Sequence, residues 1–371
     1  MRLEVAADDL FGLANLPYGV YSVGGSDPRV CTRYGDHVVD LATLLGDGVF
    51  AHPSLNAFMA RGHDQWVRTR TDITQALDGL LPADAVHPVD EVTLHLPFAV
   101  GDYVDFYASE HHAANLGRKF RPDSPDPLTP NWKHLPIGYH GRAGSIVVSG
   151  TDVVRPSGQL GAGVFGPCER LDIEAELGFV VGAGSPIGTP VPVDDAERHL
   201  FGAFLFNDWS ARDIQAWEYV PLGPHLGKSF ASTVSAWVVP MLALEGAKVP
   251  TPVQDPAPLP YLRLDDPWTL DVDLEVELNG EIVTRPPYSS QYWSPAQMLA
   301  HLTSNGAPTR TGDVFASGTI SGPEAAQVGS FIELGQGFLA DGDEVVITGT
   351  ARTSSGARLG FGEVRGRIRP A

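Results

Sequence analysis

The stretch TLDVDLEVELNGEIVTR, Thr269 to Arg285, decides the fold class. Apolar and acidic residues alternate from Leu270 to Leu278, the period-two signature of a half-buried strand. Asn279-Gly280 follows, and both residues tolerate positive φ. They predict a type I′ turn that joins Val272–Leu278 to Glu281–Arg285 as a hairpin. Asp271, Asp273, Glu275 and Glu277 then share the face turned to water. Outward from this hairpin the pattern stays mostly β. Ser145–Val148, Leu171–Val181, Gly202–Phe206, Trp237–Pro240 and Glu344–Thr350 all read as strands. One later helix is well marked, with Ser294 as N-cap, Pro295 at its first position and Asn305-Gly306 at its exit. Helices are few and do not alternate regularly with strands. The chain is therefore predicted to be mainly β (α+β), and not a doubly wound α/β sheet.

A chain of 371 residues can bury a large core and fits one or two domains. Its 41 glycines and 31 prolines exceed ordinary use and suit many short strands and turns. The first ~95 residues form a small unit by normal domain sizes. It has strand-like pieces at Tyr18–Val23 and His37–Leu41 and helical segments at Ser54–Arg61 and Asp64–Leu77. Pro82, Pro88 and Pro97 mark the linker, which places a domain at 1–97 and a second at 98–371. A net charge of −20 argues against nucleic acid or an anionic membrane as the main partner. An anionic substrate must accordingly be caught by local cations. Cys31 and Cys168 have no metal-ligand or CxxC spacing and read as inert thiols. The N-terminus, with Glu4, Asp8 and Asp9, lacks the apolar core of a secretory signal. The most apolar run, Val234–Leu244, is interrupted by Pro240 and is too short to span a bilayer. The expected location is cytoplasmic.

Chemistry concentrates in a few segments. NDWSARDIQAWEYVPLGPHLGKSF, Asn207 to Phe230, surrounds one predicted helix. Ser210 and Asp213 resemble a capping box, so the helix should begin near Ala211 and stop at Pro221 and Gly223. Arg212, Gln215 and Tyr219 then share one face, with Asp208 before the helix and Lys228 after it. In LDIEAELGFVV, Glu174 and Glu176 lie two apart. On one strand they share a face, about 6–7 Å apart. Joined by further carboxylates they would make an all-oxygen site for Ca²⁺ or Mg²⁺, but a solvated acidic face has the same spacing. DYVDFYASEHHAANLGRKFR, Asp102 to Arg121, carries two adjacent histidines, of which one can face a site. Asp105 is expected to cap a helix from Phe106 to Phe120, on which Ser109, His112 and Leu116 lie near one another. Neutral histidine is the usual general base near pH 7. LPIGYHGRAGS, Leu135 to Ser145, carries Tyr139, His140 and Arg142 between glycines, either as a loop displaying polar groups or as a turn rich in glycine for backbone reasons. FASGTISGPE, Phe315 to Glu324, is a turn that can offer N–H groups and Thr319 to an anion, or an ordinary β-turn cluster. Gly161-x-Gly163-x-x-Gly166 matches a dinucleotide fingerprint but lacks the strand before it and the helix after it, so it is set aside.

These segments, with PNWKHLPIGYHGRAGSIVVSG and DPAPLPYL, resemble in content and order those of the fumarylacetoacetate hydrolase family, from about Gly101 to the end. The first ~95 residues resemble the family's N-terminal domain more weakly. The resemblance implies a small SH3-like N-terminal barrel, a large mixed β-sandwich roll and a homodimer. It implies hydrolytic cleavage of a carbon–carbon bond in a dicarboxylate β-diketone, 4-fumarylacetoacetate, to fumarate and acetoacetate, the last step of tyrosine and phenylalanine degradation. It implies Ca²⁺ or Mg²⁺ on Asp105, Glu174, Glu176 and Asp208, and a second cation position near Lys228 and Ser232, where the family usually has threonine. His112 matches the base and Glu333 its orienting carboxylate. Arg212, Gln215 and Lys228 match oxyanion-stabilising groups. Tyr107, Arg121, Tyr139, Gln215, Tyr219 and Thr319 match substrate-binding positions. Glu110-His111 replaces the family's more common Arg-Gln just before the base.

Overall fold

A computed structural model describes residues 1–371, the whole chain. Its centre is the run LFGAFLFND, a nine-residue strand from Leu200 to Asp208 that is buried at every position. Such a run cannot alternate, because both of its faces are covered. Leu200, Ala203 and Leu205 join one apolar cluster, while Phe201, Phe204 and Phe206 join another. The strand belongs to an eight-stranded mixed sheet. Across that sheet the order runs Gly138–His140, Tyr103–Phe106, Val314–Ala316, Ala175–Val181, Leu200–Asp208, Ser232–Val234 and Ile146–Val148, with Val239–Pro240 also on the central strand.

One face of this sheet packs on a five-stranded sheet. Its order is Glu281–Thr284, Val272–Leu278, Glu344–Arg352, Arg358–Arg369 and Val153–Val154. Leu177, Phe179 and Leu205 meet Leu274, Ile347, Phe361 and Val364 in that core. The sheets approach closely at Gly349, where a Cβ would lie 2.7 Å from Leu205. The hairpin at Asn279-Gly280 forms as expected, with Asn279 at φ 53° and Gly280 at φ 85°. The alternating acids of Val272–Leu278 stay half-buried, Glu275 pairing with Arg285 at 2.8 Å.

The other face carries the N-terminal residues. A five-stranded antiparallel sheet there is ordered Val86–Pro88, His37–Asp40, Arg29–Tyr34, Tyr18–Ser22 and Thr93–His95. Tyr18, Phe58 and Trp66 pack against Phe201, with ring centroids 5.3–5.7 Å apart. The helix expected over Asp64–Leu77 spans His63–Leu77, whereas the segment at Ser54–Arg61 forms only one turn, Asn56–Met59. The helix after Ser294 has its full capping box with Gln297. The glycine pattern at 161–166 is the tip of a hairpin, Ser157–Gly161 with Val164–Pro167, so no helix N-terminus exists there for a pyrophosphate.

Other local expectations also differ from the structure, and Pro82, Pro88 and Pro97 mark no linker, since Val86–Pro88 and Thr93–His95 are strands of the N-terminal sheet. Asp105 caps no helix: it lies in strand Tyr103–Phe106, and Ser109 caps the helix Glu110–Phe120 instead, accepting from the His112 N–H at 3.2 Å. The parallel pairing of Asp105 with Ala316 draws the chain into the sheet, overriding the local capping preference. Ser210 caps no helix either. Its hydroxyl donates to the Asp208 carbonyl, and the helix Arg212–Glu218 starts after Ala211. The run Leu171–Val181 is broken between Leu171–Asp172 and Ala175–Val181, because Leu171 and Asp172 pair with Ser210 and Ala211 in a separate ribbon.

Helix Glu110–Phe120 is held against the segment that follows it at Gly117, where a Cβ would sit 1.9 Å from the Pro127 carbonyl oxygen. Alanine at a free helix position gains about 1 kcal/mol over glycine. Here Gly117→Ala is expected to destabilise by about 1–3 kcal/mol through overpacking. Urea unfolding checks this, and a variant as stable as the parent would refute the close approach.

Candidate active site

Asp105, Glu176 and Asp208 occupy alternate positions of three strands, on the sheet face whose other end the N-terminal residues cover. Tyr103 precedes Asp105 by two and Phe206 precedes Asp208 by two, and both belong to that shared core. Glu174 sits at the break just before Ala175–Val181. Its N–H bonds Asn207 Oδ1 at 3.2 Å, and its carbonyl accepts from Asp208 at 3.1 Å. The carboxylates of Asp105, Glu174 and Asp208 each bring an oxygen within 4.8 Å of the others, and all three residues are buried. Glu176 stands beside this trio but outside that radius. Its Oε2 accepts the Gly318 N–H at 3.0 Å. Gly318 has φ +74°, and a Cβ there would meet the Phe106 carbonyl at 2.2 Å, so glycine is required to deliver that N–H.

Two cations serve these acids. Arg212 Nη1 donates to Glu174 Oε1 at 2.7 Å, and Lys228 Nζ donates to Glu174 Oε2 and, at 3.1 Å, to Asp208 Oδ2. Ser232 Oγ donates to Asp208 Oδ1 at 2.7 Å and Tyr139 to Asp208 Oδ2 at 3.1 Å. Burial resists charge on Glu174, but Lys228 and Arg212 outweigh it and hold its carboxyl down at about 2. Burial and neighbouring carboxylates push Asp105 and Glu176 well above the usual range, and Asp208 is raised for the same reasons. Lys228 is held above the ordinary lysine range, because Asp208 and Glu174 outweigh the effect of its burial. Four acids thus face two cations, and Asp105 Oδ1 and Glu176 Oε1 are buried without a partner. An all-oxygen donor set whose acids repel one another's charge fits a hard divalent cation, which would favour their ionised forms.

Across the cavity His112 is 1 % exposed on helix Glu110–Phe120. Its Nδ1 lies 2.6 Å from Glu333 Oε2. Glu333 also accepts from Asn115 Nδ2 at 2.9 Å, Ser330 Oγ at 2.6 Å and Ser321 Oγ at 3.0 Å. Burial raises its affinity for a proton, yet His112 and these donors prevail and hold it down at about 2. An ionised carboxylate only accepts, so Nδ1 carries the hydrogen, and in the neutral ring Nε2 is the acceptor. Glu110, one of the two unusual residues before His112, is drawn outward to Lys133 at 2.8 Å.

A cavity of about 460 Å³ brings the two halves together. Asp105, His112, Glu174, Arg212, Lys228 and Thr319 line it. Tyr107 and Tyr139 stand in its walls, and Gln215 accepts from Arg212 Nη1 at 3.2 Å. Tyr219, half exposed, and Arg121, whose Nη2 donates to the Pro127 carbonyl at 2.7 Å, stand at its mouth. Glu176 and Ser232 lie behind its wall. The sequence reading missed Asp172, Asn115, Ser321 and Ser330. Asp172 alone left a trace, as the first acid in the same-parity series Asp172, Glu174, Glu176.

The family profile described as fumarylacetoacetate (FAA) hydrolase C-terminal matches residues 103–369, and the one described as fumarylacetoacetase N-terminal matches 14–97. The chain belongs to the fumarylacetoacetate hydrolase family. It is 46 % identical to the human fumarylacetoacetase over all of this chain and 98 % of that protein. A solved fumarylacetoacetate hydrolase from Exiguobacterium antarcticum superposes with a TM-score of 0.60 at 18 % identity, covering 96 % of this chain and all of that one. Maleylpyruvate hydrolase from Sphingobium sp. SYK-6, solved with manganese(II) and pyruvate, gives 0.57 at 18 %, covering 96 % of this chain and all of that one, and so shares the fold. The chain is a hydrolase. No helix is long and apolar enough to cross a membrane.

The low value at Glu333 makes stability depend on acid. A carboxyl held below its unfolded value contributes stability above about pH 4.5, and that contribution is lost as pH falls toward 2. A displacement of this size corresponds to about 3 kcal/mol. Urea unfolding between pH 5 and 2 is expected to show a steeper loss in the parent than in Glu333→Gln. Parallel curves would contradict the ionised pairing with His112.

Proposed function

We propose that this hydrolase cleaves 4-fumarylacetoacetate to fumarate and acetoacetate, the last step of tyrosine and phenylalanine degradation, with Ca²⁺ or Mg²⁺. The observation that carries the reading is one cavity lined both by a histidine paired to a buried carboxylate and by an acidic cluster flanked by Arg212 and Lys228. The full-length similarity to fumarylacetoacetases supports the choice of substrate.

In this reading His112 Nε2 takes a proton from water while Glu333 holds the ring and steadies the imidazolium. The water oxygen bonds to a diketone carbonyl carbon. The bond to the neighbouring carbon then breaks, and its electron pair passes into the acetoacetate enolate, which is protonated on leaving. Arg212, Lys228 and Gln215 face the oxygen on which charge develops. Tyr107, Arg121, Tyr139, Tyr219 and Thr319 hold the two carboxylate ends and the chain between them. A divalent cation bound by Asp105, Glu174, Glu176 and Asp208 supplies Lewis acidity toward the diketone, and Lys228 with Ser232 marks a second cation position. The same reading takes residues 1–97 as an SH3-like barrel, 98–371 as the catalytic domain, and the assembly as a cytoplasmic homodimer, which sedimentation velocity tests directly.

Loss of fumarylacetoacetate absorbance, followed with chelator-treated protein before and after adding Mg²⁺ or Ca²⁺, tests the reaction. Restored cleavage to fumarate and acetoacetate is expected, and inactivity of the metal-loaded protein would point to another oxo acid. His112→Ala is expected to lose about 10²–10⁴-fold in kcat with its fold intact. Asp208→Ala is expected to bind the cation more weakly by calorimetry, and an unchanged isotherm would remove Asp208 from the ligand set.

A further inference from the structure

Asp172 is fully buried and is not among the residues lining the cavity. Its carboxylate nevertheless has four donors. Oδ1 accepts from the N–H groups of Ile173 and Phe331, each at 2.8 Å. Oδ2 accepts from the Ile332 N–H at 3.2 Å and from Arg212 Nε at 2.8 Å. Phe331 and Ile332 open the short helix Phe331–Leu334, which carries Glu333. Ser330, the residue before it, makes no side-chain cap, and its hydroxyl is turned to donate to Glu333 Oε2. The first free N–H groups of that helix are therefore satisfied by a carboxylate from a strand about 160 residues earlier. The same oxygen that takes Ile332 also fixes Nε of Arg212. With Nε fixed, Nη1 is aimed at Glu174 and Gln215, while Nη2 stays buried and unpartnered.

We propose that Asp172 is a positioning residue that mounts the His112–Glu333 pair and the Arg212 fork on one rigid support. It rests on the hydrolytic reading above, and it explains how two groups from distant segments share one frame. Water activation by His112 and charge stabilisation by Arg212 must act on the same carbonyl, and a displacement of about 1 Å in either costs on the order of 10²-fold. A charged acceptor suits the post better than an amide. Turned either way, the NH₂ of an asparagine would meet two donors and leave them unpaired.

The test is Asp172→Asn. Its kcat is expected to fall about 100-fold, the scale set by misplacing a reacting group, with KM within about threefold. Because the residue acts through two others, its loss is expected to be much smaller in a Glu333→Gln or an Arg212→Lys background than in the parent. Turnover within threefold of the parent, or losses that multiply fully in both backgrounds, would overturn the proposal. A substrate-free readout separates this from the reaction assignment. In the crystal structure of Asp172→Asn, the Glu333 helix and the Arg212 guanidinium are expected to shift together, and an unmoved pair would overturn the proposal even if the substrate proves to be a different one. Should Asp172→Asn not fold, Asp172→Glu keeps the charge on a longer arm and meets the same comparisons.

Discussion

Four carboxylates buried at one end of a sheet, with two cations among them, set the terms for the rest of this site. Taking even one such ion out of water costs several kcal/mol after relaxation, and the cost is met only by opposite charge and directed hydrogen bonds. Around three of the four acids the chain supplies such a partner. Glu174 takes both Arg212 and Lys228, Asp208 takes Lys228, Ser232 and Tyr139, and Glu176 takes the Gly318 N–H. Asp105 Oδ1 and Glu176 Oε1 are left over. The protein as a whole carries −20, so its overall field works against further negative charge here. Arg212 and Lys228 are thus the local counterweight to the acids and, in the proposed reaction, to an anionic substrate.

The architecture can bear this load because the central strand is covered on both sides. Leu205 and its neighbours pack into one sheet, and Phe204 and Phe206 into the aromatic layer shared with Tyr18, Phe58 and Trp66. Where that layer ends, the same face passes from phenylalanine to Asp208 within two residues. The N-terminal residues therefore do more than sit beside the site: they fill the apolar part of the face on which the acids stand.

Much of this was legible in the sequence, and what was not has definite physical causes. The hairpin at Asn279-Gly280 and the helix after Ser294 were readable because each is specified by its own residues. The strand Arg358–Arg369, the longest in the chain, was not, since its glycines and arginines hide the alternation that pairing with Glu344–Arg352 imposes. Spacing and local pattern single out Arg212, Gln215, Tyr219, Lys228, His112 and Thr319, family resemblance supplies their roles, and spacing alone leaves Glu174 and Glu176 unresolved between a metal site and a wet face. Asp105 and Ser210 were misassigned as caps because a capping residue and a short strand end look alike until long-range pairing is known. Asp172, Asn115, Ser321 and Ser330 left almost no signal. They act on other side chains rather than on a ligand, and such second contacts have no fixed spacing.

Some groups at this site are spent and others are held in reserve. Glu333 has every acceptor site engaged, so its role is fixed before anything enters the cavity. Thr319 Oγ1 and Arg212 Nη2, by contrast, are buried in residues lining the cavity and have no partner. Each such group costs about 1–3 kcal/mol while unpaired. A fold tolerates that cost at a place where a ligand returns it, and the return is largest for a ligand whose charge develops during reaction rather than on binding. An arginine whose Nε is fixed by Asp172 and whose Nη2 is left free has the geometry for that purpose: it cannot rotate away to solvate itself, and both N–H groups of Nη2 are still to give.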